Sequence, residues 1–140
     1  MANLVRIKFY VFVDSDDKEQ QDTVSLSMVG PNGEYYLTHH VICEGHTHDG
    51  AFYWPKGYRN SFDVSLEKPM PIEIVGRSTL QVESRPCDGG DFGSWHARVW
   101  LDGFDDNGST YQLILEQGNV SVHFDDDTQD PGPCVINLRQ

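Results

Sequence analysis

Apolar and polar residues alternate through most of this chain, and that period of two constrains the fold more than any other feature. In Val5, Ile7, Phe9, Val11 and Val13 the odd positions are apolar, with Arg6 and Lys8 between them. The same pattern recurs in Val24, Leu26 and Met28, in Phe62, Val64 and Leu66, in Trp95, Ala97, Val99 and Leu101, and in Val120, Val122 and Phe124. Each run is the mark of a strand with one buried face. Weaker strands are predicted near 35–41, 72–75, 80–83, 111–116 and 135–138. Between them lie turn signals: Gly30-Pro31-Asn32-Gly33, Pro55-Lys56-Gly57, Gly76-Arg77, Asp106-Asn107-Gly108 and Gly118-Asn119. Asn-Gly supplies the positive φ angles that tight hairpins need. No segment keeps a helical period, and the helix formers between Asp16 and Asp22 are too few and too polar. About nine short strands imply an all-β fold, an antiparallel β-sandwich of C2-like or jelly-roll type.

A length of 140 residues fits a single domain, 1–140, with enough chain for an ordinary core. The 22 acids against 10 bases give a net charge of −12, which repels nucleic acid and anionic lipid. Nucleic acid is therefore not an expected partner, and a membrane is one only through bound calcium. The N-terminus has no apolar signal core and no run is long enough to span a bilayer, so a cytoplasmic location as synthesised is expected. Cys43, Cys87 and Cys134 form no C-x-x-C pair. Free thiols are expected, with one disulfide among the three as the alternative.

Four acidic clusters fall between strands: Asp14-Ser15-Asp16-Asp17, Asp88 to Asp91, Asp102 to Gly108, and Asp125-Asp126-Asp127 with Asp130. Crowded carboxylates repel one another, and calcium relieves this by taking six to eight oxygens. The competing reading is turn chemistry, since Asp and Asn bond their own local backbone. Strand parity places the 104–108 and 125–130 loops at the same end. The position of Asp14 depends on whether Phe52-Tyr53-Trp54 adds a strand. An EF-hand is excluded by spacing, because Lys18-Glu19 and Ser25 stand where further ligands belong.

The strand Ile7 to Val13 followed by Asp14-Ser15-Asp16-Asp17, with the later Trp100-Leu101-Asp102-Gly103-Phe104-Asp105-Asp106, resembles in pattern and size the calcium-binding sandwiches of the C2 and PLAT families. That resemblance implies Asp14, Asp16, Asp102, Asp105 and Asp106 as ligands, and a lipid or protein surface as target. The chain lacks the lysine-rich strand that would face phospholipid. Asp125 and Asp127 join the candidate set from the acidic-loop reading.

A second group of possible ligands lies in His39-His40-Val41-Ile42-Cys43-Glu44-Gly45-His46-Thr47-His48-Asp49. His46, His48 and Asp49 suit zinc or another transition metal. The cupin pattern breaks, because Ala51-Phe52-Tyr53-Trp54 stands where its glutamate belongs. His96 and His123 lie on the polar faces of their strands, and only the fold can bring them near a site. No nucleophile elbow, P-loop or dinucleotide fingerprint occurs, so no catalytic residue is assigned and no enzyme is expected.

Tyr53, Trp54, Tyr58 and Trp100 are the candidate ligand-binding aromatics. Trp100 lies on the strand face opposite Trp95, Val99 and Leu101, and so points out of the core or into a second contact surface. The reading that follows is a non-enzymatic, calcium-assisted binding module for a carbohydrate, protein or lipid surface. Its alternatives are a metal-free, self-associating or partner-binding domain, which includes a homo-oligomer, and a small metalloprotein built on His46 and His48.

Overall fold

A computed structural model describes residues 2–15, 18, 22–44, 53–86, 95–124 and 133–139. In chain order the elements are β1 (Asn3–Ser15), β2 (Asp22–Val29), β3 (Tyr35–Cys43), β4 (Arg59–Pro71), α1 (Ile72–Val75), β5 (Thr79–Pro86), β6 (Trp95–Asp105), β7 (Thr110–Ile114), β8 (Val120–Phe124) and β9 (Cys134–Asn137). They make an all-β sandwich of two antiparallel sheets. One has five strands in the order β4-β1-β6-β7, with β8 also on β6; the other has four, β3-β2-β5-β9.

The alternation sets the core. Val11 and Val13 of β1, Leu26 and Met28 of β2, Val82 of β5, Ala97 and Leu101 of β6, and Phe124 of β8 are buried between the sheets. Each of these side chains other than Ala97 stabilises by about 1.5–3 kcal/mol relative to exposure. The phase of β1 departs from the sequence expectation at one point. Leu4 pairs with Asp105 and Arg6 with Phe104, so Val5 is an extra residue on β1. Such a bulge reverses the faces on its far side, and Leu4 rather than Val5 enters the core. Gly103 of β6 makes room there: a Cβ would lie 2.6 Å from Leu4 Cδ1 and 2.8 Å from Leu113 Cδ1.

Two expectations are corrected. Residues 72–75 form a helical turn, not a strand. Pro71 ends β4, the Arg77 N–H bonds the Ile74 carbonyl, and the Ser78 hydroxyl donates to the same oxygen at 2.8 Å. Four residues are too few for periodicity to separate helix from strand. The second correction concerns loop parity. β7 pairs with Leu101–Phe104 of β6, and β8 pairs with Trp95–Val99 of the same strand. Both run antiparallel to β6, so the chain does not reverse between them. The turn after β6 and the end of β8 are therefore at opposite ends of the sandwich.

Candidate functional site

Beyond its bulge, β1 turns Lys8, Tyr10 and Phe12 outward, and β6 turns His96, Arg98, Trp100, Asp102 and Phe104 outward beside them. Tyr10 and Trp100 are register partners, and their rings stack at 5.2 Å with 5° between planes. The Arg59 guanidinium from β4 lies 4.9 Å from the Phe12 ring centre and 5.9 Å from that of Trp100. Trp100 is thus only 7 % exposed although it faces away from the core. The Tyr10 hydroxyl donates to Asp102 Oδ2 at 3.2 Å. Burial, and then the Asp102 carboxylate, raise the Tyr10 pKa, so it remains a protonated donor. Beside this stack is a recess of about 410 Å³, lined by Tyr10, Trp100 and Arg59, by Asn60 and Ser61 of β4, and by Asp102, Gln112 and Glu116. Apart from Glu116, which lies in the connection after β7, its lining residues are on strands, which hold side chains more firmly than loops do.

The predicted calcium ligands do not form one group. Leu4 is the β1 partner of Asp105, and Asp14 lies ten positions further along the strand, roughly 33 Å away. Asp14 and the Asp102–Asp106 group are therefore at opposite ends, and a site combining them is ruled out by the register. Asp105 is committed to its own turn. Its Oδ1 accepts the N–H groups of Asn107 at 2.9 Å and Ser109 at 2.8 Å, and its Oδ2 accepts the Tyr111 hydroxyl at 2.6 Å. The Tyr111 hydrogen bond, with the backbone N–H groups, holds this carboxyl below the usual aspartate value although burial opposes the shift. Asp106 accepts the Asn3 N–H at 3.1 Å and the Asn3 side-chain amide at 3.4 Å, fastening the start of β1. Asp102 faces the recess. Asp16, Asp125 and Asp127 lie outside the described residues, as do His46, His48 and Asp49.

At the far end, the β1–β6 register slips between Val13 and Ser15, and Asp14 is the additional residue. Its Oδ2 meets Arg98 Nε at 3.2 Å, while its Oδ1 is buried and has no hydrogen-bond partner among the described residues. His96 and His123 are register partners across β6 and β8, with ring centres 3.8 Å apart and planes at 79°. Asp14, His96, Ser121, Val122 and His123 line a second recess of about 300 Å³. Among the described residues, no three His, Cys, Asp or Glu side chains are placed to share one ion.

The other predicted aromatics belong to the core. Trp54 is 3 % exposed, stacks on Tyr58 at 5.1 Å and meets Trp95 edge-on at 5.9 Å. Trp54 and Tyr58 therefore close the end of the sandwich, and Tyr53 is half-buried beside them in the chain. Backbone pairing with Lys18 in both directions, at 2.8 and 3.0 Å, holds Trp54 there. Cys43 and Cys134 are free thiols, and Cys87 lies outside the described residues. Burial raises the pKa of both thiols; at Cys43, Lys18 works against the shift.

Tyr10, Arg59, Asn60, Ser61, Gln112 and Glu116 were not among the predicted site residues. The signal for Tyr10 is in the sequence, since it shares the polar phase of β1 with Lys8 and Phe12. The pairing of β1 with both β4 and β6, which assembles the rest, is not. No family model, curated protein or solved structure matches the chain. No helix among the described residues is long and apolar enough to cross a membrane.

Proposed function

We propose that this chain is a non-enzymatic binding module, that its ligand is a neutral carbohydrate, and that the recess beside Tyr10 and Trp100 is where the ligand binds. The observation that carries the reading is the lining itself: a fixed aromatic stack with donors and acceptors of both kinds around it. Sugar hydroxyls both donate and accept. Asp102 and Glu116 accept, Arg59 donates, and Gln112 does both. A recess of this size is within the range of small-ligand sites. The net charge of −12 favours a neutral ligand over an anionic one. The reading uses no calcium, because Asp105 and Asp106 already have protein donors on their oxygens.

A glycan array followed by calorimetry tests it. Glu116→Gln is expected to weaken binding about tenfold, since hydrogen bonds to charged groups contribute about 1.5–3 kcal/mol. Glu116 is exposed, so melting should not change. Chelator should leave the affinity unaltered. Failure to bind any glycan would overturn the proposal, as would undiminished binding by Glu116→Gln and Gln112→Ala together. Release of reducing sugar would instead make Asp102 and Glu116 a hydrolytic acid–base pair.

A further inference from the structure

We infer that His96 and His123 form a binding site for a divalent transition-metal ion, with Asp14 beside them. This site is independent of the carbohydrate reading and lies further along the same sheet face. Three observations meet there. The two histidines are register partners on adjacent antiparallel strands, so the backbone fixes their spacing. Their rings are already in edge-to-face contact at 3.8 Å between centres. They share a recess with an aspartate that has one oxygen buried and, among the described residues, unpartnered.

A buried carboxylate oxygen without a donor is costly and uncommon. A cation, or a water bound to one, would satisfy it. Two imidazoles select the kind of cation. Calcium and magnesium take oxygen ligands, whereas zinc and copper take imidazole nitrogen. His123 is exposed on β8, and rotation of its ring would turn a nitrogen toward the ion that His96 binds. Among the described residues no third ligand is already in place, so the proposed site is open, with water filling the remaining positions. Arg98 holds the other oxygen of Asp14 and limits how far that carboxylate can move toward the ion.

The test uses the full chain without an affinity tag, stripped with chelator and titrated with Zn²⁺ by calorimetry. One site is expected that millimolar Ca²⁺ does not displace. His123→Gln and His96→Gln should each weaken zinc binding by at least about tenfold, while the metal-free proteins melt as the parent does. If one variant fails to fold, the other carries the test. A copper-loaded sample should show two nitrogen ligands by electron paramagnetic resonance, and one in either variant. The paired change His46→Gln with His48→Gln should leave this zinc site intact. The inference is overturned if no zinc binds, or if zinc affinity survives at His96→Gln and His123→Gln and is lost in the His46/His48 pair.

Discussion

Asp105 and Asp14 occupy opposite ends of the β1–β6 pair, and in sequence they look alike: each opens an acidic run at the end of a strand. In the fold they have little in common. After Asp105 the chain turns back, and the N–H groups of Asn107 and Ser109 and the Tyr111 hydroxyl engage its carboxylate. At Asp14 the strand slips register, and one oxygen meets Arg98 while the other meets no donor among the described residues. A carboxylate answered by its own turn is structural. One left partly unanswered beside two imidazoles has capacity for a ligand. What separates the two is the local backbone path, not the number of acids.

The largest expected effect lies at the Asp14 end, where charge is buried. Lys18 and Asp22 are both fully buried. Lys18 bonds the Cys43 thiol and Asp22 acts on it electrostatically. The Lys18 ammonium also lies 5.3 Å from the Trp54 ring centre. Lys18→Met keeps similar volume but removes the ammonium that faces the Cys43 thiol and the Trp54 ring. Unfolding in urea should show a loss of about 1.5–3 kcal/mol, the worth of a hydrogen bond to a charged group. A loss below about 1 kcal/mol would mean that the buried ammonium is dispensable, and the two ends would then differ less than argued.

The Asp105 turn should dominate the acid limb of stability. Its folded pKa is below the ordinary aspartate value, so on acidification the unfolded chain takes up this proton first. The stabilisation is complete above the usual carboxylate range, roughly pH 4–5, and is lost as pH falls through the depressed folded value. Asp105→Asn keeps the acceptor for Asn107 and Ser109 but turns an amide N–H toward the Tyr111 hydroxyl. Melting curves between neutral and acid pH should show a lower melting temperature at neutral pH and a flatter fall below pH 4–5. An unchanged acid limb would remove Asp105 from the account.

Much of the sandwich was legible because period-two alternation reports burial directly. Val24, Leu26 and Met28, and Trp95, Ala97, Val99 and Leu101, are all inside as the pattern predicts. Trp100 takes the opposite face, as the alternation predicts, and is buried there under Tyr10 and Arg59. The errors arise where one residue or one connection breaks the period. The extra Val5 reverses the phase near the start of β1. The residues between β7 and β8 look like a turn, yet the chain continues along β6 beyond them. That continuation made the parity argument fail and placed Asp14 and Asp105 far apart. The sites depend on pairings such as Tyr10 with Trp100 and His96 with His123, whose members are tens of residues apart in the chain. Alternation says which face a side chain takes; it does not say which strand lies beside it.

The smallest effect is the most discriminating, because it applies to Asp14 the change already applied to Asp105. Asp14→Asn weakens the contact with Arg98, a pair whose side chains are 29 % and 47 % exposed, so about 0.2–1 kcal/mol is at stake. It also removes charge from a half-buried side chain whose buried oxygen has no donor among the described residues, which offsets part of that loss. The net change in stability should be under about 1 kcal/mol, while the Asp105→Asn protein shows a clear fall. Zinc binding should move in the opposite sense: weakened by Asp14→Asn and untouched by Asp105→Asn. If the two asparagine variants melt alike, the Asp14 carboxylate is as fully satisfied as that of Asp105, and the contrast between the two ends fails. If they melt differently but bind zinc equally, the contrast is one of stability alone, and His96 and His123 act without Asp14.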